Sequence, residues 1–163
     1  MLSILLLLSS PLGDATWIPR SRCPAAERVG AHLGADAPRL IAACMAESAL
    51  RTSGWSDAWV QGALVNAWHE SAWNPSAVGD EGHAVGFWQL RDDGLGQGMG
   101  DLRFDVRSAT SVIIRSARRQ RMNVSGRDPD EAARRFCQLI MRPSDKLRKG
   151  ELRARLSADI PDE

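Results

Sequence analysis

No tyrosine occurs anywhere in the chain, and cysteines (Cys23, Cys44, Cys137) and histidines (His32, His69, His83) number only three each. Neither set has Cys-x-x-Cys or His-Glu-x-x-His spacing, so no zinc template fits and neither a metal nor a cofactor is expected. An odd cysteine count favours a buried structural thiol for Cys44 in "LIAACMAE". Export would leave a Cys23–Cys44 bridge open as the alternative. Long apolar runs are also missing. The opening "MLSILLLL" falls far short of the ~20 residues needed to span a bilayer, so stable membrane insertion is not expected. A strong charge of one sign is absent too: the formal net charge is +1. That balance gives no argument for nucleic acid, and no helix–turn–helix or other reader motif accompanies the four arginines of "RSARRQR" (Arg115–Arg121). Finally, Gly94, Gly96, Gly98 and Gly100 alternate in "RDDGLGQGMGD", but no Gly-Lys-Ser/Thr follows. This excludes a phosphate loop and leaves a mobile loop over a cleft.

What is present describes one domain. Residues 1–15 have the apolar core of a secretory leader with a cleavage site after Ala15, but lack its positive start and a good small-x-small site. An uncleaved start or a different initiator Met explains them equally well. Residues 16–163 are long enough for a single domain with its own core. The basic stretches Arg115–Arg121 and Arg134–Arg155 suit either a polyanionic partner such as cell wall or ordinary solvated helix faces.

Apolar spacing predicts two short helices in "CPAAERVGAHLGAD" and "APRLIAACMAESALR", then a break at Ser53-Gly54. Ser56 or Asp57 should cap a third helix, with Val60, Leu64, Ala67 and Trp68 as its apolar stripe, ending near Asn74-Pro75. Turn signals at Gly79-Asp80 and Glu81-Gly82 precede "HAVGFWQL", whose content suits a short strand. Helices resume with "DVRSATSVIIRSARRQ", with "DPDEAARRFCQLIMR" capped by Asp128, and with an amphipathic piece from Ser144 to Leu156. Phe136, Leu139 and Ile140 would form a buried helix face. The fold class is α+β, mostly α.

One acid stands out. Glycoside cleavage needs a carboxylic acid that can give its proton to the leaving oxygen, and burial beside aromatic groups favours that state. Glu70 lies at a helix end between Trp68 and Trp73, before a ribbon able to fold back over it. The other Glu-Ser pair, Glu47-Ser48, lacks the residues that follow Glu70 and is read as ordinary surface. His69 and His83 are read as solvent-facing or core histidines. Of the six tryptophans, Trp17, Trp55, Trp59 and Trp68 suit the core, whereas Trp73 and Trp88 suit either core or sugar platforms.

The run "HESAWNPSAVGDEGHAVGFWQL" resembles the motif of lysozyme-like muramidases and soluble lytic transglycosylases, in particular the branch found as phage tail-associated or virion lysins. Glu70-Ser71, Asn74-Pro75 and Gly86-Phe87-Trp88-Gln89-Leu90 carry it. "GLGQGMGDLRFD" and "FCQLIMRPSD" extend it over roughly residues 56–145. The resemblance implies a lysozyme-like domain with a small β-hairpin after the catalytic helix, acting on peptidoglycan glycan strands. It implies Glu70 as catalytic acid then base, and Ser71 orienting it or a sugar. Asn74 would fix the helix exit, and Gly86 would allow close approach of the glycan. Gln89 would bind an N-acetyl sugar, with Phe87 or Trp88 beside it. Among Asp80, Glu81, Asp92 and Asp93, Asp80 is the first candidate for a second carboxylate; without one, the substrate's own N-acetyl group would assist and yield an anhydro end. An exported, periplasmic or virion setting follows, with other virion or tail proteins as partners. Three departures stand against the pattern: the missing tyrosine, Asp105-Val106 in place of Asp-Pro, and Met141-Arg142-Pro143 without its acid. They keep a catalytically weak glycan-binding or structural module as the alternative.

Overall fold

The computed structural model describes residues 23–141 and 145–161. The leader, Trp17 and Arg142-Pro143 lie outside the described residues. Six α-helices among the described residues accompany a three-stranded antiparallel ribbon, which makes the fold mostly α with a small β element. Among the described residues, no helix is long and apolar enough to cross a membrane.

Helix starts follow the capping chemistry of the sequence. Helix α1 (Pro24–Leu33) begins on proline and ends at Gly34 in the left-handed region (φ 71°). Asp36 opens α2 (Ala37–Thr52) by accepting from the Arg39 amide at 3.1 Å. Ser56, rather than Asp57, caps α3 (Asp57–Ser71) through the Trp59 amide. Asp105 caps α4 (Val106–Arg119) at 2.8 Å from the Ser108 amide. Asp128 serves two amides at the start of α5 (Pro129–Phe136), which runs on into a wider π-type turn, Cys137–Met141. Helix α6 (Lys146–Ala158) completes the set.

Helix α3 departs from its expected single stripe. Every residue from Ala58 to Ala67 is buried, because α1, α2, α5 and α6 enclose it. Gly62 permits the closest of these contacts: a Cβ there would lie 2.6 Å from the Ala133 backbone nitrogen on α5. The helix stops at Ser71, three residues before Asn74. Ala72 (φ 48°) and Trp73 (φ 60°) both take left-handed conformations, which swing the Trp73 ring back into the core, where its Nε1 donates to the Leu64 carbonyl at 2.8 Å. Burying a whole indole offsets the strain of two such residues.

The ribbon is shorter than expected. Strands β1 (Val78–Gly79), β2 (Ala84–Val85) and β3 (Leu90–Arg91) pair in that order, Val78 opposite Val85 and Val85 opposite Leu90. "HAVGFWQL" is therefore two strand ends split by a turn, since Gly86 (φ 79°) and Gln89 (φ 48°) bend the chain and send Phe87 and Trp88 inward. The glycine-rich segment that follows is fastened rather than loose: Arg103 donates to the carbonyls of Gly100, His83 and Leu90.

Two expectations about α2 are overturned. Cys44 is bridged to Cys23, which ties the start of α1 to α2, and the buried free thiol is Cys137, held above its usual range chiefly by burial. Glu47 is not surface but fully buried (0 % exposed). Its carboxylate accepts from the Ala25 and Ala26 amides at 3.3 and 2.7 Å and from Arg51 Nε at 2.6 Å, so it caps the neighbouring helix α1.

Candidate active site

Glu70 sits in the last turn of α3, where the buried helix emerges at a groove of about 920 Å³. The hairpin forms one wall through Asp80, Gln89 and Arg91; the end of α4 contributes Ser116, Arg119 and Gln120; the π-type turn adds Leu139–Met141, and α6 adds Lys149. Local chemistry holds this geometry. Ser71 Oγ donates to the Phe87 carbonyl at 2.8 Å, clamping the end of α3 to the turn between β2 and β3. Asn74 Oδ1 accepts from the Ser76 amide at 2.9 Å, a local turn that fixes the exit from the helix.

The hydrogen-bonding partner of the Glu70 carboxyl is a cation. Its Oε1 accepts a hydrogen bond from Arg153 Nη2 at 2.6 Å, and Arg153, only 4 % exposed, donates from Nη1 to Asn66 Oδ1 at 2.6 Å. His69 next door faces solvent, yet nearby packing and then the Arg153 charge push its imidazole below the ordinary range; its exposure limits the first effect.

The other candidates are placed as follows. Asp80 lines the same groove as Glu70, from the hairpin side, and its half-exposed carboxylate pairs with Arg91. Arg91 also binds Asp93 at 2.8 Å, which holds that carboxyl below its usual range, and Asp92 faces His83 at 3.2 Å. Glu81, Asp92 and Asp93 do not line the groove.

Gln89 lines it with its amide anchored, Nε2 donating to the Gly86 and Ala77 carbonyls at 3.0 and 3.3 Å. The close approach that Gly86 permits is to this chain's own backbone: a Cβ would lie 2.1 Å from the Arg103 carbonyl oxygen. Phe87, Trp88 and Trp73 are fully buried, and Trp88 Nε1 donates to Thr110 Oγ1 at 2.9 Å. Packing takes both rings of the Phe-Trp pair and the tryptophan behind the helix end; of the three, Trp88 also lines the groove, alongside Gln89.

Leu139 and the pair behind Glu70, Asn66 and Arg153, are residues that the local sequence pattern does not mark. Leu139, expected on a buried helix face, is 38 % exposed and lines the groove. Asn66 and Arg153 lie behind the Glu70 carboxyl, outside the groove lining. For Arg153 a signal exists: Gly150, Ala154 and Ser157 form the small, buried face of α6, and Arg153 falls on it while Leu147 and Leu152 face out. Among the described residues, no group of three or more His, Cys, Asp or Glu side chains is arranged to hold a metal ion.

Searches of curated proteins and of solved structures return no match. Residues 43–160 do match one family, described as phage tail lysozyme, from the middle of α2 to beyond the end of α6. A match of that extent establishes kinship: the chain belongs to the phage tail lysozyme family, whose chemistry is the lysis of peptidoglycan.

Proposed function

We propose that the chain cleaves the β-1,4 bond between N-acetylmuramic acid and N-acetylglucosamine, with Glu70 as general acid and then base. The observation that carries this is the placement of a carboxyl at the end of a buried helix, opening on a groove that Asp80 also lines. Glu70 would protonate the leaving oxygen as positive charge develops on the sugar. Asp80 would serve as the second carboxylate. Its pairing with Arg91 is solvent-exposed, and such pairs contribute little, so substrate can displace it. If Asp80 is not used, the substrate's acetamido group assists and its 6-hydroxyl closes the ring.

Gln89 would orient the acetamido group. Both hydrogens of its Nε2 are engaged, so Oε1 is the atom that accepts from a sugar N–H. Arg119 and Lys149 line the groove, and would attract the carboxylates of the peptide stems.

Glu70→Gln tests the assignment, because glutamine can still accept from Arg153 and the site stays assembled. Wild type should clear sacculi, and the variant should lose about 100-fold or more while still pelleting with them. Equal clearing would exclude Glu70. Mass spectrometry of the products assigns reducing ends to hydrolysis and anhydro ends to transglycosylation. One observation favours a second reading, a binding module of weak activity: both groove carboxylates are already engaged by arginines. Binding of sacculi without clearing by either protein would establish it.

A further inference from the structure

Arg153 is a buried cation, and a buried guanidinium persists only where its donors are matched. From behind it is held by Asn66, itself fully buried, which spends both Nδ2 hydrogens on the carbonyls of Gly62 and Ala133 at 2.7 and 2.9 Å. That usage fixes which way the amide points, so Oδ1 must face Arg153. In front, Arg153 Nη2 takes Glu70 Oε1. Asn66 and Glu70 are one helical turn apart on α3, and the planar guanidinium spans them as a brace supplied by α6. Arg153 does not itself line the groove.

We infer that Arg153 is a positioning residue for the proposed reaction: it holds Oε1 of Glu70, so that Oε2 is the oxygen that gives and takes the proton. This rests on the assignment of Glu70 made above. In the first half-reaction the Oε2–H bond breaks, the proton passes to the glycosidic oxygen, and the C1–O electron pair leaves with that oxygen as the Asp80 carboxylate, or the substrate's acetamido oxygen where Asp80 is not used, bonds to C1. The carboxylate so formed keeps Arg153 as its partner. In the second half, Oε2 takes the proton of the incoming hydroxyl as its oxygen bonds to C1, and the bond made there in the first half breaks, its electron pair returning to Asp80 or the acetamido oxygen. The brace leaves the carboxyl little rotation, and orientation of this kind carries large rate factors.

The test uses Arg153→Met, which removes both charge and fork, and Arg153→Lys, which keeps the charge but cannot span both acceptors. Soluble glycan strands serve as substrate, and near-UV circular dichroism checks the fold. Arg153→Met should lower kcat about 100-fold with KM within about twofold, and Arg153→Lys should recover part of that loss. A merely structural role would not split kcat from KM in a folded variant. Carbodiimide labelling of Glu70, read by peptide mass mapping, should rise in Arg153→Lys, and this readout stands even if Arg153→Met fails to fold. An active wild type with either variant folded and unchanged in kcat overturns the inference alone. The same follows if labelling is unchanged in Arg153→Lys. A wild type that binds strands but releases no product removes the assignment of Glu70, and this inference with it.

Discussion

Replacing Glu47 by alanine strips three hydrogen bonds from the junction of α1 and α2. The Ala25 and Ala26 amides, both in fully buried residues, lose their acceptor, and Arg51 keeps only its exposed contact with Asp57. Breaking a buried ion pair by removing one partner costs about 3–5 kcal/mol. Arg51 is 28 % exposed and can turn to water, which places Glu47→Ala in the lower part of that range, about 3–4 kcal/mol. For a domain of this size each kcal/mol lowers Tm by about 2–4 °C, so the expected fall is about 6–16 °C. Glu47→Gln should fall about half as far, since one oxygen still accepts while the new amide hydrogens face donors. Thermal unfolding followed by far-UV circular dichroism, disulfide intact, measures both. Glu151→Ala is the control: its pair with Arg134 is exposed and should shift stability by no more than about 0.5 kcal/mol. If Glu47→Ala unfolds within about 2 °C of wild type, the burial and capping role argued for this carboxylate is wrong.

Reducing the Cys23–Cys44 bridge, which spans 21 residues, should cost about 3 kcal/mol by loop entropy, seen as a lower Tm in reductant. The loss should be larger in Glu47→Ala, because the two fastenings hold the same end of α1 and would not be additive. Gly86→Ala should destabilise by at least about 2 kcal/mol in denaturant unfolding, combining left-handed strain with the Arg103 carbonyl overlap. Wild-type stability would show that the turn relaxes. Arg119→Ala with Lys149→Ala should weaken sacculus pelleting at low salt and flatten its salt dependence, with kcat on peptide-free strands unchanged. An unaltered salt response would remove the electrostatic role of that wall.

Helix starts were legible because their causes are local: Asp36, Ser56, Asp105 and Asp128 each directly precede and cap a helix. The position of Glu70 at a helix end before a turn-rich ribbon was legible for the same reason. What the sequence concealed depends on distant partners. Glu47 looks like any surface glutamate until α1, more than twenty residues earlier, presents two amides to it. Phe87 and Trp88 look like a strand until two left-handed residues fold them inward, and nothing local distinguishes Gln89 as a residue able to take that conformation. Arg153 belongs to a basic stretch whose other described members are exposed or half-buried. Only docking of α6 shows which arginine is buried.

The pairing of Glu70 with Arg153 joins residues 83 positions apart. Synthesis therefore delivers the groove's acid long before the cation that braces it. A nascent chain extending only as far as the π-type turn already holds Glu70 and both walls of the hairpin, yet lacks the brace. Contacts of such separation form late, after the loops between them have closed. The chain is thus expected to acquire its set carboxyl in one of the last folding events, when α6 seats, so that a lytic protein matures only once it is made through its sixth helix.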